Sequence, residues 1–293
     1  MKDYEITFKS CNSVHYAKPI TAYVTGPDRM DGGTGLMHFA HGWGGNRYGY
    51  RAMQQEFADR YNLIGVATEF RQSGYDFDPV TGTGAYQPYD ASHLQVIDCL
   101  NAVRHVLGLY PGLDRGRLIA YGGSQGGHIS MLMCSFCPDT FALVISACGA
   151  SHFDAERAAW AGRDFSAREL AVRDTAGMAG RGQCPVVLMH GTADETLPDL
   201  HTRRMEKALR EAGRTVVVKY YEGGNHALGP VTNRRDATVE LADALLREAR
   251  NDREDDFAAG RAVRVPCGDS DFVIDWSRRP EDPELARWEQ TRG

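Results

Sequence analysis

Residues 118–127 read LIAYGGSQGG and decide how the centre of the chain folds. The apolar residues 118–121 are typical of a buried strand, and the segment 128–137 is apolar and compatible with a helix. Ser124 stands between glycines at the turn from strand to helix, where a flanking side chain would obstruct a sharp backbone bend. A serine at the apex of such a turn is typical of acyl-transfer nucleophiles. The stretch therefore predicts nucleophilic acyl transfer at Ser124.

Two downstream loops supply the residue types that a serine nucleophile requires. Asp194 lies in the loop HGTADETLP after the apolar strand VVLM, and His226 lies in the loop GGNHAL after the next strand. A serine hydroxyl is a weak nucleophile until a correctly oriented base takes its proton. We predict that Ser124 is the nucleophile, His226 the base and Asp194 the orienting acid. Asp199 is the alternative acid, but within TLPDL it is typical of the first turn of a helix.

Backbone N–H groups near the nucleophile would stabilise the oxyanion that forms during acyl transfer. We predict that one comes from Gln125, which follows the nucleophile at the start of a helix. The other is predicted to come from Trp43 in the glycine-rich loop HGWGG, with His41 bracing that loop. The alternative interpretation of HGWGG is a simple glycine turn after a strand.

Short apolar strands alternate with helices along most of the chain. The predicted strands are 4–10, 20–26, 35–40, 63–70, 117–121, 141–147, 186–189 and 215–221, and the predicted helices are 48–60, 90–109, 128–137, 152–182, 198–212 and 235–250. This alternation predicts an α/β fold with a mostly parallel sheet of about eight strands and helices on both faces. We expect one domain over 1–250, in which 150–182 could form a small cap, and a C-terminal appendage over 251–293 that could contain a hairpin.

The loops around the predicted catalytic residues resemble those of a known family. YGGSQGG, HGTADETLP and GGNHAL are similar to the nucleophile elbow, acid loop and histidine loop of the α/β-hydrolase superfamily, and the resemblance extends over about residues 35–250. Within it, the loops most resemble those of prolyl oligopeptidase-like serine hydrolases and of dienelactone-hydrolase-like or acetyl-xylan-esterase-like relatives. The resemblance implies the α/β-hydrolase fold, Ser124, Asp194 and His226 as a triad, and the two predicted amides as the oxyanion hole.

Two departures from the peptidases of that family favour an esterase. Those peptidases carry a large N-terminal propeller, whereas only about 35 residues precede the strand that leads into HGWGG. That loop also differs from their HGGP type. We predict an esterase or deacylase for a small acyl ester, such as an acylated sugar or another small polar substrate. The alternatives are a peptidase or aminopeptidase-like hydrolase with the same triad, and a non-catalytic binding protein on a hydrolase fold.

Two segments beside the predicted triad could contact the substrate. The loop 71–89 follows a strand near the elbow, and the cap segment 150–182 follows the strand after it; their candidate contact residues are Arg71, Tyr75, Tyr86, His152 and Trp160. Arg71 could bind a substrate carboxylate, or it could pair with Asp76, Asp78 or Asp90. The aromatic residues could equally belong to the core.

Composition limits the remaining function classes. The net charge of -6 disfavours nucleic acid as a partner, and no apolar run is long enough to span a membrane. The first ten residues lack the apolar region of a signal peptide, so we expect a cytoplasmic protein whose seven cysteines are reduced core residues. Cys134 and Cys137 form a C-x-x-C without a second pair, and no H-E-x-x-H spacing occurs, so neither a metal nor another cofactor is predicted. The expected partner is a small acyl substrate, and a homo-oligomer is left open.

Overall fold

The computed structural model describes residues 3–11, 19–74, 77–78, 83–84 and 89–291. The strands are β1 Asp3–Phe8, β2 Ile20–Thr25, β3 Gly35–Ala40, β4 Leu63–Glu69, β5 Phe77–Asp78, β6 Thr83–Gly84, β7 Leu118–Gly123, β8 Leu143–Ala147, β9 Val186–Gly191, β10 Val216–Tyr221, β11 Ala262–Cys267, β12 Ser270–Asp275 and β13 Ala286–Gln290. The helices are α1 Arg51–Tyr61, α2 His93–Leu109, α3 Gln125–Phe136, α4 Ala155–Ala161, α5 Ala167–Ala171, α6 Leu200–Glu211, α7 Arg234–Glu248 and α8 Asp256–Ala259.

Eight strands form one sheet in the order β1-β2-β4-β3-β7-β8-β9-β10. β1 pairs antiparallel with β2, and β2 pairs antiparallel with β4. The pairings from β4 through β3 to β10 are all parallel. The mostly parallel sheet predicted from the alternating elements is confirmed. Because β3, β7, β9 and β10 are parallel, the loops that follow them leave the same edge of the sheet, where ligands bind in such folds.

Helices cover both faces of this sheet, as the sequence predicts. On one face, α2, α3 and α6 contribute apolar side chains to the larger core. On the other face, α1 and α7 pack over a second core that includes Phe57 and Leu246. The central strands β3, β4, β7, β8 and β9 are buried along their whole length, which explains their nearly continuous apolar sequence. No helix in the described part of the chain is both long and apolar enough to cross a membrane.

The segment 152–182 differs from the long helix predicted for it. It contains only the short helices α4 and α5, joined by turns. The Asp154 side chain accepts a hydrogen bond from the Arg157 amide and caps α4, and Gly162 ends that helix with a φ of 65°. Ser166 and Glu169 then form a capping box that starts α5. The polar composition suggested one helix, but the capping residues divide the segment.

The C-terminal residues form a separate three-stranded antiparallel sheet, β11-β12-β13. Apolar side chains of this sheet, including Val265 and Phe272, belong to the same core as α3. Trp276 is fully buried, and its indole N–H donates a 3.1 Å hydrogen bond to the Phe136 carbonyl at the end of α3. These contacts attach the C-terminal sheet to α3, and the division into a domain over 1–250 and an appendage over 251–293 stays a prediction.

All seven cysteines are buried and none forms a disulfide. Cys134 and Cys137 lie at the C-terminal end of α3. The Sγ atom of Cys134 lies 3.6 Å from that of Cys184, a contact between α3 and the segment leading into β9. The C-x-x-C spacing therefore places one core cysteine in the last turn of α3 and the other directly after it, and the near neighbour of Cys134 comes from another element.

Candidate active site

The turn between β7 and α3 forces Ser124 into an unusual backbone conformation. Its φ is 59° and its ψ is −126°, so this non-glycine residue lies outside the ordinary helix and strand regions. The neighbouring glycines make the turn possible. A Cβ atom on Gly126 would lie 1.9 Å from the Ala40 carbonyl oxygen, and one on Gly122 would lie 2.1 Å from the Gly126 carbonyl oxygen. The GGSQGG sequence thus presents a serine at the edge of the sheet.

The predicted oxyanion residues flank this serine. Gln125 is the first residue of α3, so its amide has no acceptor within the helix. On the other side lies the HGWGG loop, where a Cβ atom on Gly42 would be 3.3 Å from that of Ser124. Trp43 follows directly in this loop. The Gln125 side chain accepts a 3.1 Å hydrogen bond from the Tyr89 hydroxyl, which helps to fix the start of the helix.

The carboxylate of Asp194 is fully buried and accepts hydrogen bonds at both oxygens. Oδ1 accepts from the amides of Thr196 and Leu197, each at 2.9 Å. Oδ2 lies 2.7 Å from Nδ1 of His226 and 3.1 Å from Nε2 of His190. Burial alone would raise the pKa of Asp194, but the bonds from His190, His226 and the Leu197 amide outweigh it and hold the pKa well below its usual value. The acid is therefore ionised when a base beside it works near neutral pH.

His190 was not predicted to take part in the site. It lies on β9, four residues before the acid, and its Nε2 also lies 2.8 Å from the Leu197 carbonyl. A carbonyl oxygen only accepts, so Nε2 carries the proton and donates it toward both Leu197 and Asp194. Nδ1 then accepts from the Thr202 hydroxyl at 2.7 Å. The sequence signal for His190 was the spacing H-x-x-x-D, which begins on a strand. The turn that follows β9 brings the two side chains into contact, and the spacing alone does not predict that turn.

His226 is held by Asp194 on its ring and by Arg234 on its backbone. The Arg234 guanidinium donates a 2.7 Å hydrogen bond to the His226 carbonyl. The same guanidinium lies against the elbow, since a Cβ atom on Gly123 would be 2.8 Å from its Nη1. One side chain thus touches both the histidine loop and the residue before Ser124. Sequence reasoning missed Arg234, which has no motif of its own.

The Ser124 hydroxyl makes no hydrogen bond to His226 among the described residues. Such contacts are often long in free enzymes and tighten when substrate binds. The alternative acid, Asp199, is partly exposed and paired with Arg203 at 2.7 Å. The structure therefore brings Asp194 rather than Asp199 to His226, and it holds this pair beside the elbow.

The expectation that Arg71 binds substrate needs correction. Its Nε and Nη2 atoms donate to the two oxygens of Asp98 at 2.7 and 2.6 Å, and Nη2 also donates to the Cys11 carbonyl at 2.9 Å. Both side chains of the pair are almost fully buried. The partner is none of the three aspartates suggested by the sequence, because it is contributed by α2. The guanidinium of Arg71 forms a buried ion pair in the core, so we do not retain this residue as a substrate contact.

A small cavity opens beside Ser124, and we call it the acyl cavity. Its volume is about 30 Å³, and it is lined by Trp43, Ser124, Gln125, His128, Ala150, Phe153, Arg157, Trp160 and Leu197. Trp160, one of the predicted contact residues, is thus brought to the site by α4. His152 is not among the lining residues, and its ring packs 4.9 Å from that of His201. Tyr75 and Tyr86 lie outside the described residues.

One group of potential metal ligands lies in the described part of the chain. Cys148, His190 and Asp194 bring their ligand atoms within 4.8 Å of one another. Both ring nitrogens of His190 and both oxygens of Asp194 already have hydrogen-bond partners. Burial raises the pKa of Cys148 to about 11, so its thiol keeps its proton near neutral pH. We therefore describe the group as part of the hydrogen-bond network around the acid.

Several solved structures share this fold. An acylaminoacyl peptidase from Pyrococcus horikoshii matches with a TM-score of 0.70 and 18% identity, over 86% of this chain and 42% of that chain. An acylaminoacyl peptidase in complex with Z-Gly-Gly-Phe-chloromethyl ketone gives a TM-score of 0.67 and 19% identity, over 86% and 42% of the two chains. A puromycin-hydrolyzing peptidase from Mycobacterium tuberculosis gives 0.61 and 21%, over 84% and 37%. This chain thus spans less than half the length of these structures.

Sequence comparison identifies the family. No curated protein matches the chain. The model of the prolyl oligopeptidase family matches residues 90–251, which include the elbow, the acid loop and the histidine loop. That match covers more than half of the chain, and it agrees with the sheet order and the glycine-lined elbow. The chain therefore belongs to the prolyl oligopeptidase family and has the α/β-hydrolase fold of its serine hydrolases.

Proposed function

We propose that this protein is a serine hydrolase that cleaves a small carboxylic ester through Ser124, His226 and Asp194. The observation that carries the proposal is the 2.7 Å hydrogen bond between His226 Nδ1 and Asp194 Oδ2, made beside an elbow that presents a serine. With Nδ1–H committed to the carboxylate, Nε2 is the ring nitrogen that can accept a proton. The chain order serine, aspartate, histidine supports the same assignment.

The reaction runs in two halves. The Ser124 hydroxyl oxygen attacks the acyl carbon while Nε2 of His226 takes its proton, and the amides of Gln125 and Trp43 stabilise the oxyanion. The imidazolium then protonates the leaving oxygen, and the acyl group stays on the serine as an ester. Water repeats the same path, with His226 again acting as base, and releases the carboxylic acid. Asp194 stabilises the imidazolium in both halves.

The acyl cavity supports an ester with a compact acyl group. Its walls are largely apolar and aromatic, and the rings of Trp43 and Trp160 are part of them. Trp43 lies 4.4 Å from Tyr89 and 6.1 Å from Trp160, measured between ring centroids. Trp160 is 38% exposed, so the end of α4 borders the opening. A compact acyl group held in this cavity would lie beside Ser124, which is one of its lining residues.

Amide hydrolysis is the second candidate, because the similar structures are named as peptidases. The same triad can cleave esters and amides, since both reactions pass through a tetrahedral intermediate with an oxyanion. The two candidates differ in the leaving group, which must be protonated more fully in an amide. Equal concentrations of protein should therefore be assayed with an acetyl ester and with aminoacyl anilides. A clear preference for the anilides would reverse our order.

Active-site labelling tests the shared part of both candidates. A fluorophosphonate probe should modify Ser124, as located by peptide mass spectrometry, and Ser124→Ala should remove both labelling and p-nitrophenyl acetate hydrolysis. Ser130→Ala, which removes a hydroxyl group within α3, is the matched control. This variant should keep both the labelling and the hydrolysis of p-nitrophenyl acetate. Hydrolysis by the Ser124→Ala protein at the wild-type rate would overturn the proposal. Failure of the probe to react with a well-folded sample would instead favour a non-catalytic binding protein.

A further inference from the structure

Two of the seven buried cysteines lie against each other. The Sγ atoms of Cys134, in the last turn of α3, and of Cys184, just before β9, are 3.6 Å apart. A disulfide joins its sulfur atoms at about 2.05 Å, so this pair lies within ~1.5 Å of bonding distance. The two residues are 50 positions apart in the chain. Their contact is therefore a product of the fold, and the C-x-x-C spacing of Cys134 and Cys137 does not predict it.

An arginine side chain faces both sulfur atoms. Nη2 of Arg214 lies 4.0 Å from Sγ of Cys134 and 3.8 Å from Sγ of Cys184. The guanidinium is held there, because Nη1 donates to the Ala179 carbonyl at 2.8 Å and Nη2 donates to the Cys184 carbonyl at 2.6 Å. Both acceptors are neutral, so these bonds leave the positive charge directed at the sulfur atoms. Such a charge stabilises a thiolate, which is the form of cysteine that reacts with oxidants.

The proton affinities of the cysteines distinguish the same pair. A hydrogen bond from the Cys184 thiol and the charge of Arg214 hold the pKa of Cys134 below its usual value, although burial acts in the opposite direction. The pKa of Cys184 is raised, because its thiol gives that hydrogen bond and is buried. Burial also raises the pKa of each remaining cysteine: Cys11, Cys99, Cys137, Cys148 and Cys267. Cys134 therefore carries the most thiolate near neutral pH, with the Cys184 thiol beside it.

The pair lies close below the protein surface. Cys134 and Cys184 are 3% and 7% exposed, and their neighbours Gln183 and Arg214 are exposed and half-buried. The main chain at Gly182 lies directly on the Cys134 sulfur, since a Cβ atom there would collide with it. This loop is outside the helices and strands, so a small local opening would admit a molecule as small as hydrogen peroxide.

We propose that Cys134 and Cys184 are a peroxide-sensitive pair that closes to a disulfide and is reopened by thiols. The Cys134 thiolate attacks one oxygen of hydrogen peroxide, so that an S–O bond forms, the O–O bond breaks and hydroxide leaves. The Cys184 sulfur then attacks the sulfenic acid and gives up its proton; an S–S bond forms, the S–O bond breaks and water leaves. Two thiols are oxidised by two electrons, and peroxide is reduced to two molecules of water.

The bond would connect two elements that lead to the proposed active site. α3 begins at Gln125, next to Ser124, and β9 leads to Asp194. The chain between the two cysteines contains β8, α4 and α5, so the disulfide would close all three into one loop. Such a link removes conformational freedom from the unfolded chain and stabilises the folded state. Oxidation should therefore raise the Tm by ~5 °C or more.

A metal ion fits the pair less well than a disulfide. A structural zinc site takes about four ligands. In the part of the chain that the structure describes, three metal-ligating side chains come together around Asp194, and neither Cys134 nor Cys184 is among them. The Arg214 guanidinium would also repel a cation from the two sulfur atoms.

Peptide mapping tests the proposal on the wild-type protein. The reduced protein is treated with hydrogen peroxide and then with catalase, unfolded, alkylated with iodoacetamide and digested without reductant. We expect one linked pair of peptides, which contain Cys134 and Cys184, and alkylation of the other five cysteines. Dithiothreitol should remove the link. Alkylation of all seven cysteines, a link from Cys134 to Cys137, or oxidation of Cys134 to a sulfinic acid without a link would overturn the proposal.

Four variants assign the steps to their residues. Cys184→Ala should leave Cys134 as a sulfenic acid that dimedone captures, whereas Cys134→Ala should give neither a link nor a dimedone adduct at Cys184. Arg214→Met should slow formation of the link by about threefold or more, because less of Cys134 is thiolate. Cys137→Ala is the matched control, since it removes the neighbouring cysteine, and it should form the link at the wild-type rate. Equal rates in Arg214→Met and wild type would exclude the role of the guanidinium.

Thermal unfolding tests the effect of the link on stability. The rise in Tm after peroxide treatment should be reversed by dithiothreitol and should be absent in Cys184→Ala. An equal rise in peroxide-treated Cys184→Ala would show that another modification causes it. Because the measurements are peptide masses and unfolding rather than hydrolysis, they are independent of the function proposed above. If a variant does not fold, the map of the wild-type protein still decides whether the pair closes.

Discussion

Replacing Asp194 with asparagine would test the proposed triad most directly. The carboxylate accepts four N–H groups, two at Oδ1 from the amides of Thr196 and Leu197 and two at Oδ2 from His226 and His190. An asparagine side chain has only one acceptor oxygen, so its NH₂ group must face two of these donors. If the NH₂ faced the two backbone amides, both of their hydrogen bonds would be lost, at a cost of about 1–3 kcal/mol each. The oxygen should therefore stay with the amides.

In that orientation the NH₂ group faces His226. The imidazole can accept from it only by moving its own proton from Nδ1 to Nε2, and Nε2 is then unable to take the serine proton. His190 cannot make the same change without losing its bond to the Leu197 carbonyl. A wrong histidine tautomer of this kind lowers kcat by about 10⁴ in a serine protease triad, which corresponds to ~5.4 kcal/mol of transition-state stabilisation. We expect a loss of that order here.

The assay measures kcat for p-nitrophenyl acetate hydrolysis by the wild type and each variant between pH 6 and 9. Thermal unfolding checks that each variant is folded. Asp199→Asn makes the same chemical change in the rival acid, whose carboxylate pairs with Arg203. It should keep kcat within about twofold, because a surface ion pair contributes little. A folded Asp194→Asn protein with kcat within tenfold of wild type would refute the reasoning, and so would an equal loss in the Asp199→Asn protein.

Further predictions concern the frame around the site. Asp98→Ala should lower the free energy of unfolding by about 3–5 kcal/mol, because it leaves Arg71 buried without a counter-charge, whereas Asp98→Leu combined with Arg71→Met should be close to neutral. Urea unfolding measures both, and equal losses would contradict this. Acid should also destabilise the fold. Burial lowers the pKa of His38 to about 3 and that of His41 to about 4, so the unfolded chain binds more protons than the folded chain below pH ~6.5. Stability should then fall by ~1.4 kcal/mol per pH unit for each residue, down to its folded pKa, and His38→Gln should show a shallower decline in the urea midpoint between pH 7.5 and 5. A decline as steep as in wild type would count against this. Finally, Arg234→Met should lower kcat by ~10–100-fold, because the histidine loop loses its tie to the elbow. Wild-type kcat in a folded Arg234→Met protein would exclude that role.

Much of the fold follows from local sequence patterns. The apolar runs, the glycine-lined turn and the alternation of strands and helices predicted the parallel sheet, because each depends on interactions between residues close in sequence. The order of the serine, aspartate and histidine loops predicted which strand ends would carry the site. Pattern failed where several short signals competed. In 152–182, the capping side chains of Asp154 and Ser166 and the left-handed Gly162 divided what composition suggested was one helix.

The tertiary structure alone decided the partners of charged and polar side chains. Arg71 met Asp98 rather than a nearer aspartate, because β4 and α2 pack against each other in the core and an ion pair has no sequence periodicity. His190 reached Asp194 through a turn, and α4 brought Arg157 to the cavity that His128 lines. Whether a hydrogen bond forms depends on differences of a few tenths of an ångström in the distance between its donor and its acceptor. Here the donor and acceptor belong to elements far apart in the chain. Sequence determined which groups follow which strands, and packing determined which of them meet.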